Sequence, residues 1–221
     1  MTRMLRAGVS LFLAVLLMTS SIACHAAAPN TSAASFVLME AESGRVIASG
    51  NELQERSIAS TTKIMTCLVA LEHSALTEQV TVARAHLREG SSMYLAEGEV
   101  LTMEELLYGL MLPSGNDAAE CIADHCGGEG GSRQFVAWMN EKAKMLGMTR
   151  TAFANPSGLD EAGHRSCALD MARLAAYAMR DPTFTRIAST RTARVGARTM
   201  TNHNKLLAKY PGCIGLKTGY T

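Results

Sequence analysis

From Phe36 onward the spacing of hydrophobic positions changes period several times, and each change predicts an element. Phe36 to Glu40 and Arg45 to Ala48 are short apolar-rich runs around a Glu42-Ser43-Gly44 turn, which reads as a β-hairpin. Ile64, Cys67, Leu68 and Leu71 then follow the i, i+3, i+4, i+7 spacing of a buried helix face, with its start near the good capping residues Ser57 to Ser60. Thr102 with Glu105 forms a capping box ahead of "LLYGLML", and Pro113 ends that helix. "DAAECIADHC" continues as a helix closed by Gly127-Gly128. Another carries Phe135, Val136, Met139 and Leu146 on one side, with Gly147 at its C-cap. "NPSGLDEAGH" is a loop. "CALDMARLAAYAMRDP" is a further helix, capped by Ser166 and ended by Pro182. Strand-like sequence returns near Thr199 and from Gly212. A hairpin, a run of helices and a closing strand predict an α+β fold whose antiparallel sheet joins the two ends of the chain around a helical subdomain. No internal repeat is present.

The N-terminal stretch has a different character. Arg3 and Arg6 precede an apolar run from Ala7 to Met18, followed by small residues around Ala23 to Ala28, the three zones of a secretory signal. The apolar run is short for a membrane span, which needs about 20 residues. Ser21 stands where a lipid-attachment signal carries Leu, so cleavage near Ala26 to Ala28 is expected rather than lipidation of Cys24. The division is therefore 1–28 signal peptide, 29–35 linker and 36–221 a single folded domain, exported to the cell envelope, periplasm or cell surface. With 48% hydrophobic residues there is ample material for a core, and a formal charge of +1 provides no field for nucleic acid. Of six cysteines, five remain without Cys24, an odd number that excludes a complete disulfide framework. Cys121, His125 and Cys126 lack a second ligand pair of zinc-like spacing and read as packing.

Three short motifs carry candidate chemistry. Ser60 and Lys63, i and i+3 at a helix start, share one face, so a neutral amine there can take the hydroxyl proton. Burial and nearby positive charge lower a lysine pKa toward neutrality, as that role requires. S-x-x-K arises on the order of once by chance in a chain this long, so it decides nothing alone. Ser114-Gly115-Asn116 follows Pro113 at a corner between helices, where a hydroxyl and a carboxamide can relay a proton and bind an amide. Ser114 and Asp117 also have the spacing of a capping box, and the same tripeptide recurs at Ser49-Gly50-Asn51 in a turn. Lys217-Thr218-Gly219 is rarer, expected about once in twenty such chains. It offers a cation and a hydroxyl to a carboxylate, with room at the glycine; the plain alternative is a lysine guarding a strand edge.

The order S-x-x-K, S-x-N, K-T-G is the motif set of penicillin-binding proteins and class A β-lactamases. Together with "EGSSMYL", "LLYGLMLPSGNDAAE", "LGMTRTAFANPSGLD" and "YPGCIGLKTGYT", it makes the chain from Ser35 to Thr221 resemble the D-alanyl-D-alanine carboxypeptidases, the low-molecular-mass penicillin-binding proteins. The resemblance implies a β-lactamase/transpeptidase-like fold. It implies Ser60 as acylated nucleophile, Lys63 as its base, and Ser114 and Asn116 assisting proton transfer and holding the peptide. Lys217 and Thr218 would bind the terminal carboxylate, and the N–H groups of Ser60 and of Tyr220, the residue after Gly219, would form the oxyanion hole. The implied reaction removes the terminal D-Ala from peptidoglycan stem peptides in cell-wall biogenesis, with β-lactams as covalent inhibitors. No metal or organic cofactor is implied; the charge already argues against nucleic acid, and membrane association through a downstream segment stays open.

Two departures stand out. Ile58 occupies a position where the family carries proline. In that family the K-T-G strand also pairs with later strands before a last helix, which this sequence does not contain. A C-terminally incomplete domain is therefore expected, one that alone folds poorly or binds β-lactam weakly. A serine β-lactamase is the competing enzyme, but the E-x-x-L-N carboxylate that serves deacylation there is missing between Asn116 and Lys217. An inactive peptidoglycan-binding or β-lactam-binding fragment is the competing non-enzyme.

Overall fold

The structure is a computed structural model that describes residues 29–220; the signal-peptide reading of 1–28 falls outside the described residues, as does Thr221. The predicted hairpin is β1 (Phe36–Met39) against β2 (Val46–Gly50), antiparallel, with Phe36 opposite Gly50. Two further antiparallel pairs follow: β3 (Gln79–Thr81) with β4 (Val100–Thr102), and β5 (Thr192–Val195) with β6 (Arg198–Thr201). The β3–β4 pair went unseen in the sequence because three-residue strands are too short to show a period.

The centre of the fold is α1 (Lys63–His73), buried on every face from Lys63 to Ala70. A helix enclosed in this way lies inside a layer of others. α2 (Met103–Met111), α3 (Asn116–Gly127), α4 (Gly131–Met145), α5 (Ala168–Ala178) and α6 (Pro182–Ser189) all pack against it. Met65, Cys67, Leu106, Leu110, Ile122, Phe135 and Phe184 are fully buried in this shared core. Five cysteines are described, and all are free thiols. No helix among the described residues is long and apolar enough to cross a membrane.

Several expectations are sharpened. The Thr102–Glu105 capping box forms in both directions at the start of α2. Pro182 does not end a helix: Asp181 accepts from the N–H groups of Thr183 and Phe184, and the proline opens α6 at its first turn. α1 is entered through a 3-10 turn, Ala59–Thr62, without a side-chain cap, because the candidate hydroxyls are used elsewhere. Ser57 Oγ bonds Asp160 and Ser60 Oγ faces Lys63.

The α+β reading and the antiparallel pairing hold, but the strands form three separate two-stranded ladders. The segment from Gly212 to Tyr220 carries no strand and does not pair with β1. Side chains and a turn hold it instead: Asn204 Nδ2 donates to the Gly215 carbonyl at 2.7 Å and Cys213 N–H to Tyr210. That segment follows α7 (Leu206–Lys209) and ends against the start of α1.

Candidate active site

Ser60 sits in the 3-10 turn just before α1, immediately after Ala59, whose φ is +45°. A non-glycine residue in the left-handed region costs of order 1–3 kcal/mol and persists only where packing enforces it. Here the enforcement comes from both sides. A Cβ on Gly158 would lie 2.0 Å from the Ala59 carbonyl oxygen, and one on Gly219 would lie 3.1 Å from that of Ile58. Both glycines exist so that two backbones can close on the approach to Ser60.

Lys63 is fully buried. Its Nζ lies 3.1 Å from Ser60 Oγ, 2.8 Å from Asn116 Oδ1 and 2.5 Å from the Ser157 carbonyl oxygen. No carboxylate pairs with it among the described residues. Burial, and then the positive charge of Lys217, pull its pKa down to about 7. An amine that is half neutral near pH 7 has two hydrogens and one lone pair. The amide and peptide oxygens can only accept, so they take both hydrogens and leave the lone pair facing the serine hydroxyl.

Asn116 opens α3, and its Nδ2 donates to Glu89 O at 2.8 Å. Asp117 does not cap that helix with Ser114. Its carboxylate gathers the "SSMYL" loop, accepting from Ser92 Oγ and from the N–H groups of Met93 and Leu95. Ser114, at φ +68°, is left with the one buried side-chain polar atom among the described residues that has no hydrogen-bond partner. An unsatisfied buried hydroxyl costs about 1–3 kcal/mol, so its capping role is excluded and a ligand-facing one is favoured.

The three motifs converge on one cleft of about 410 Å³, lined by Ser60, Ser114, Asn116, Thr218, Gly219 and Tyr220. Lys217 is half-buried beside it, its Nζ 2.9 Å from Thr218 O and its pKa lowered by burial to about 8. No carboxylate among the described residues pairs with Lys217.

Sequence reasoning missed three contributors. Ser157 supplies a backbone oxygen, which has no residue-type mark. His203 lines the cleft, its pKa lowered by burial and then by Lys217 and Lys205. His164 staples the 155–164 loop to the 3-10 turn that carries Ser60. Its Nδ1 accepts from Ala154 N–H at 3.0 Å, which places the ring proton on Nε2, 2.7 Å from Thr62 Oγ1. Thr66 Oγ1 adds a bond to Pro156 O at 2.6 Å.

This contact yields a graded expectation. Gly158→Ala forces a Cβ into the Ala59 carbonyl at a φ of +85°, and is expected to cost about 2–4 kcal/mol in urea unfolding. Gly163→Ala, at the same φ but facing open space, should cost only about 1 kcal/mol. Equal losses would show that strain, not the close approach, sets the cost.

A serine hydroxyl facing a buried lysine whose pKa is lowered toward neutrality is an arrangement suited to serine acyl transfer. A profile of the D-alanyl-D-alanine carboxypeptidases matches residues 22–221. The D-alanyl-D-alanine carboxypeptidase DacF of Bacillus subtilis is 38% identical over 200 residues, covering 86% of this chain and 51% of that protein. DacD of Escherichia coli is 39% identical over 207 residues, with 87% and 53% covered. Among solved structures, a D-alanyl-D-alanine carboxypeptidase from Mycobacterium tuberculosis aligns with a TM-score of 0.85 at 35% identity, covering 90% of this chain and 77% of that one. A DD-transpeptidase from Streptomyces gives 0.85 at 31% identity, covering 89% and 83%. The chain belongs to the D-alanyl-D-alanine carboxypeptidase family of serine peptidases. It spans about half the length of the first two curated relatives.

Proposed function

We propose that this chain provides the catalytic centre of a serine D,D-carboxypeptidase acting on peptidoglycan stem peptides that end in D-Ala-D-Ala. The observation that carries the reading is the Lys63 amine within hydrogen-bond reach of Asn116 Oδ1, Ser157 O and Ser60 Oγ, so that the neutral amine, its hydrogens on the first two, turns its lone pair to Ser60. Lys63 accepts the Ser60 proton as Oγ attacks the carbonyl carbon of the penultimate D-Ala. The oxyanion is held by the N–H groups of Ser60 and Tyr220, and the 3-10 turn into α1 points its amide dipoles the same way. Ser114 passes the proton to the leaving D-Ala nitrogen, the C–N bond breaks, and an ester to Ser60 remains. Lys217 and Thr218 hold the departing carboxylate. Water, deprotonated by the same base, resolves the ester.

β-Lactams enter the same path, but their leaving nitrogen stays tethered, so the ester persists. Asp160 and Glu161, the carboxylates of the loop, bond Ser57 and Asn155 and do not line the cleft. This favours slow deacylation over β-lactamase turnover. The Arg3/Arg6 leader supports an exported protein working at the cell envelope.

The test compares D-Ala release from a D-Ala-D-Ala peptide with hydrolysis of penicillin by the same preparation. Release of D-Ala with a long-lived penicilloyl adduct is expected. Fast multiple turnover of penicillin without D-Ala release would replace this reading with a β-lactamase, and neither adduct nor release would leave only a binding fragment.

A further inference from the structure

A groove of about 380 Å³ opens beside the catalytic cleft, between the loop that carries Ser92 to Tyr94 and strand β6, and His203 lines both. Two neighbours fix which end of the substrate it meets. Pro113 in its wall directly precedes Ser114, the hydroxyl that serves the leaving nitrogen. His203 stands beside Lys217, which holds the departing carboxylate: burial and then that lysine's charge lower the imidazole pKa. Neither Ser60 nor Asn116, which meet the acyl half, lines the groove. A group reaching it therefore hangs from the departing residue.

Tyr94 forms one wall, on a strained backbone. Its φ is +62°, a region that a bulky residue adopts only where its neighbours enforce it. The enforcement comes from both ends. Ser92 Oγ accepts from the Tyr94 N–H at 2.7 Å, and the Arg198 guanidinium donates to the Tyr94 carbonyl at 2.8 Å. Ser92 is itself held by Asp117, and Arg198 by both oxygens of Glu99. The ring placed by all this is 81% exposed, and its hydroxyl has no hydrogen-bond partner among the described residues. Such strain gains the fold no packing, so its return lies in what the ring meets from outside. With Arg198 paired to Glu99, the groove presents no free charge, and Pro113, Met200 and the Tyr94 ring make its walls largely apolar.

We propose that this groove receives the side chain of the departing residue and favours apolar ones larger than the methyl of D-Ala, with the Tyr94 ring lying against them. The inference rests on the carboxypeptidase reading and names a substrate class for the same site: stem peptides that end in a D-residue with an aliphatic or aromatic side chain. Such a side chain leaves water for the wall formed by Met200 and the phenol ring, and a methyl group gains least from that transfer.

The test uses four peptides that share one acyl half and end in D-Ala-D-Ala, D-Ala-D-Leu, D-Ala-D-Phe or D-Ala-D-Glu, with release of the last residue measured. The kcat/KM for D-Leu and D-Phe is expected to exceed that for D-Ala by about 3–10-fold, with D-Glu, whose charge finds no partner in the groove, below D-Ala. In Tyr94→Gly, which suits the backbone and removes the ring, the D-Phe-to-D-Ala ratio falls to near one. In Thr201→Trp, a substitution at the exposed end of β6 that fills the groove, the D-Leu and D-Phe ratios both fall below one. Both positions are exposed, so both variants fold. Equal kcat/KM for the four peptides, as from a side chain that points into water, would overturn the groove while leaving the carboxypeptidase reading intact. Slower release of D-Leu and D-Phe than of D-Ala, or ratios unchanged in either variant, would do the same. No release from any peptide by the native chain would sink both.

Discussion

Ser60→Ala is expected to take no covalent label from a fluorescent penicillin and to release D-Ala roughly 10⁶-fold more slowly, the loss typical of removing a serine nucleophile. The size of the loss depends on the neighbours as much as on Ser60 itself. Two threonines follow directly, and either hydroxyl is close enough in sequence to be imagined as a substitute. Both are committed: Thr61 Oγ1 donates to Ile58 O at 2.5 Å, and Thr62 Oγ1 pairs with His164. Only Ser60 Oγ faces both the lysine lone pair and the cleft. Label that persists in Ser60→Ala, or moves to another residue on peptide mapping, would remove Ser60 from the mechanism.

Lys63→Met is expected to slow acylation by about 10²–10⁴-fold, the range for a positioned general base. Its control is the pH profile. In the native chain the base must be neutral, so kcat/KM rises with pH and levels off above about 7, where Lys63 titrates. Lys217 must stay charged to hold a carboxylate, so the rate falls again above about 8. A narrow optimum lies between the two lysines. In Lys63→Met the rising limb disappears from whatever activity survives, while the falling limb remains. An unchanged rising limb would assign it to another group, with His203, the imidazole that lines the cleft, the first to examine.

Much of this site was legible because its side chains carry their chemistry in their spacing. Ser60 with Lys63, Ser114 with Asn116, and Lys217 to Gly219 are each short local patterns, and the structure brings all three to one cleft. What stayed hidden was of two kinds. Ser157 acts through its peptide carbonyl, and any residue type supplies one. His164 and Asp117 act at a distance, through loops whose course depends on tertiary packing that no local period encodes. The helices follow from their apolar stripes, but α6 does not, because Pro182 has the look of a stop where Asp181 makes it a start. The closing segment has the composition of a strand, yet strand structure is a property of pairs, and this one has no partner among the described residues.

The bonds around Lys63 have a consequence for how the site meets its surroundings. In a triad, an ionised carboxylate orients the base, and that carboxylate can itself be protonated or screened. Here a side-chain amide and a peptide carbonyl do the aiming. Neither has a proton to lose in the range where proteins are stable, and neither carries a net charge for salt to shield. The direction of the lone pair is thus fixed by the architecture, while its availability alone answers to acidity. Ionic strength is left to act through the charge of Lys217, on its hold over a carboxylate and on the push it gives the Lys63 pKa.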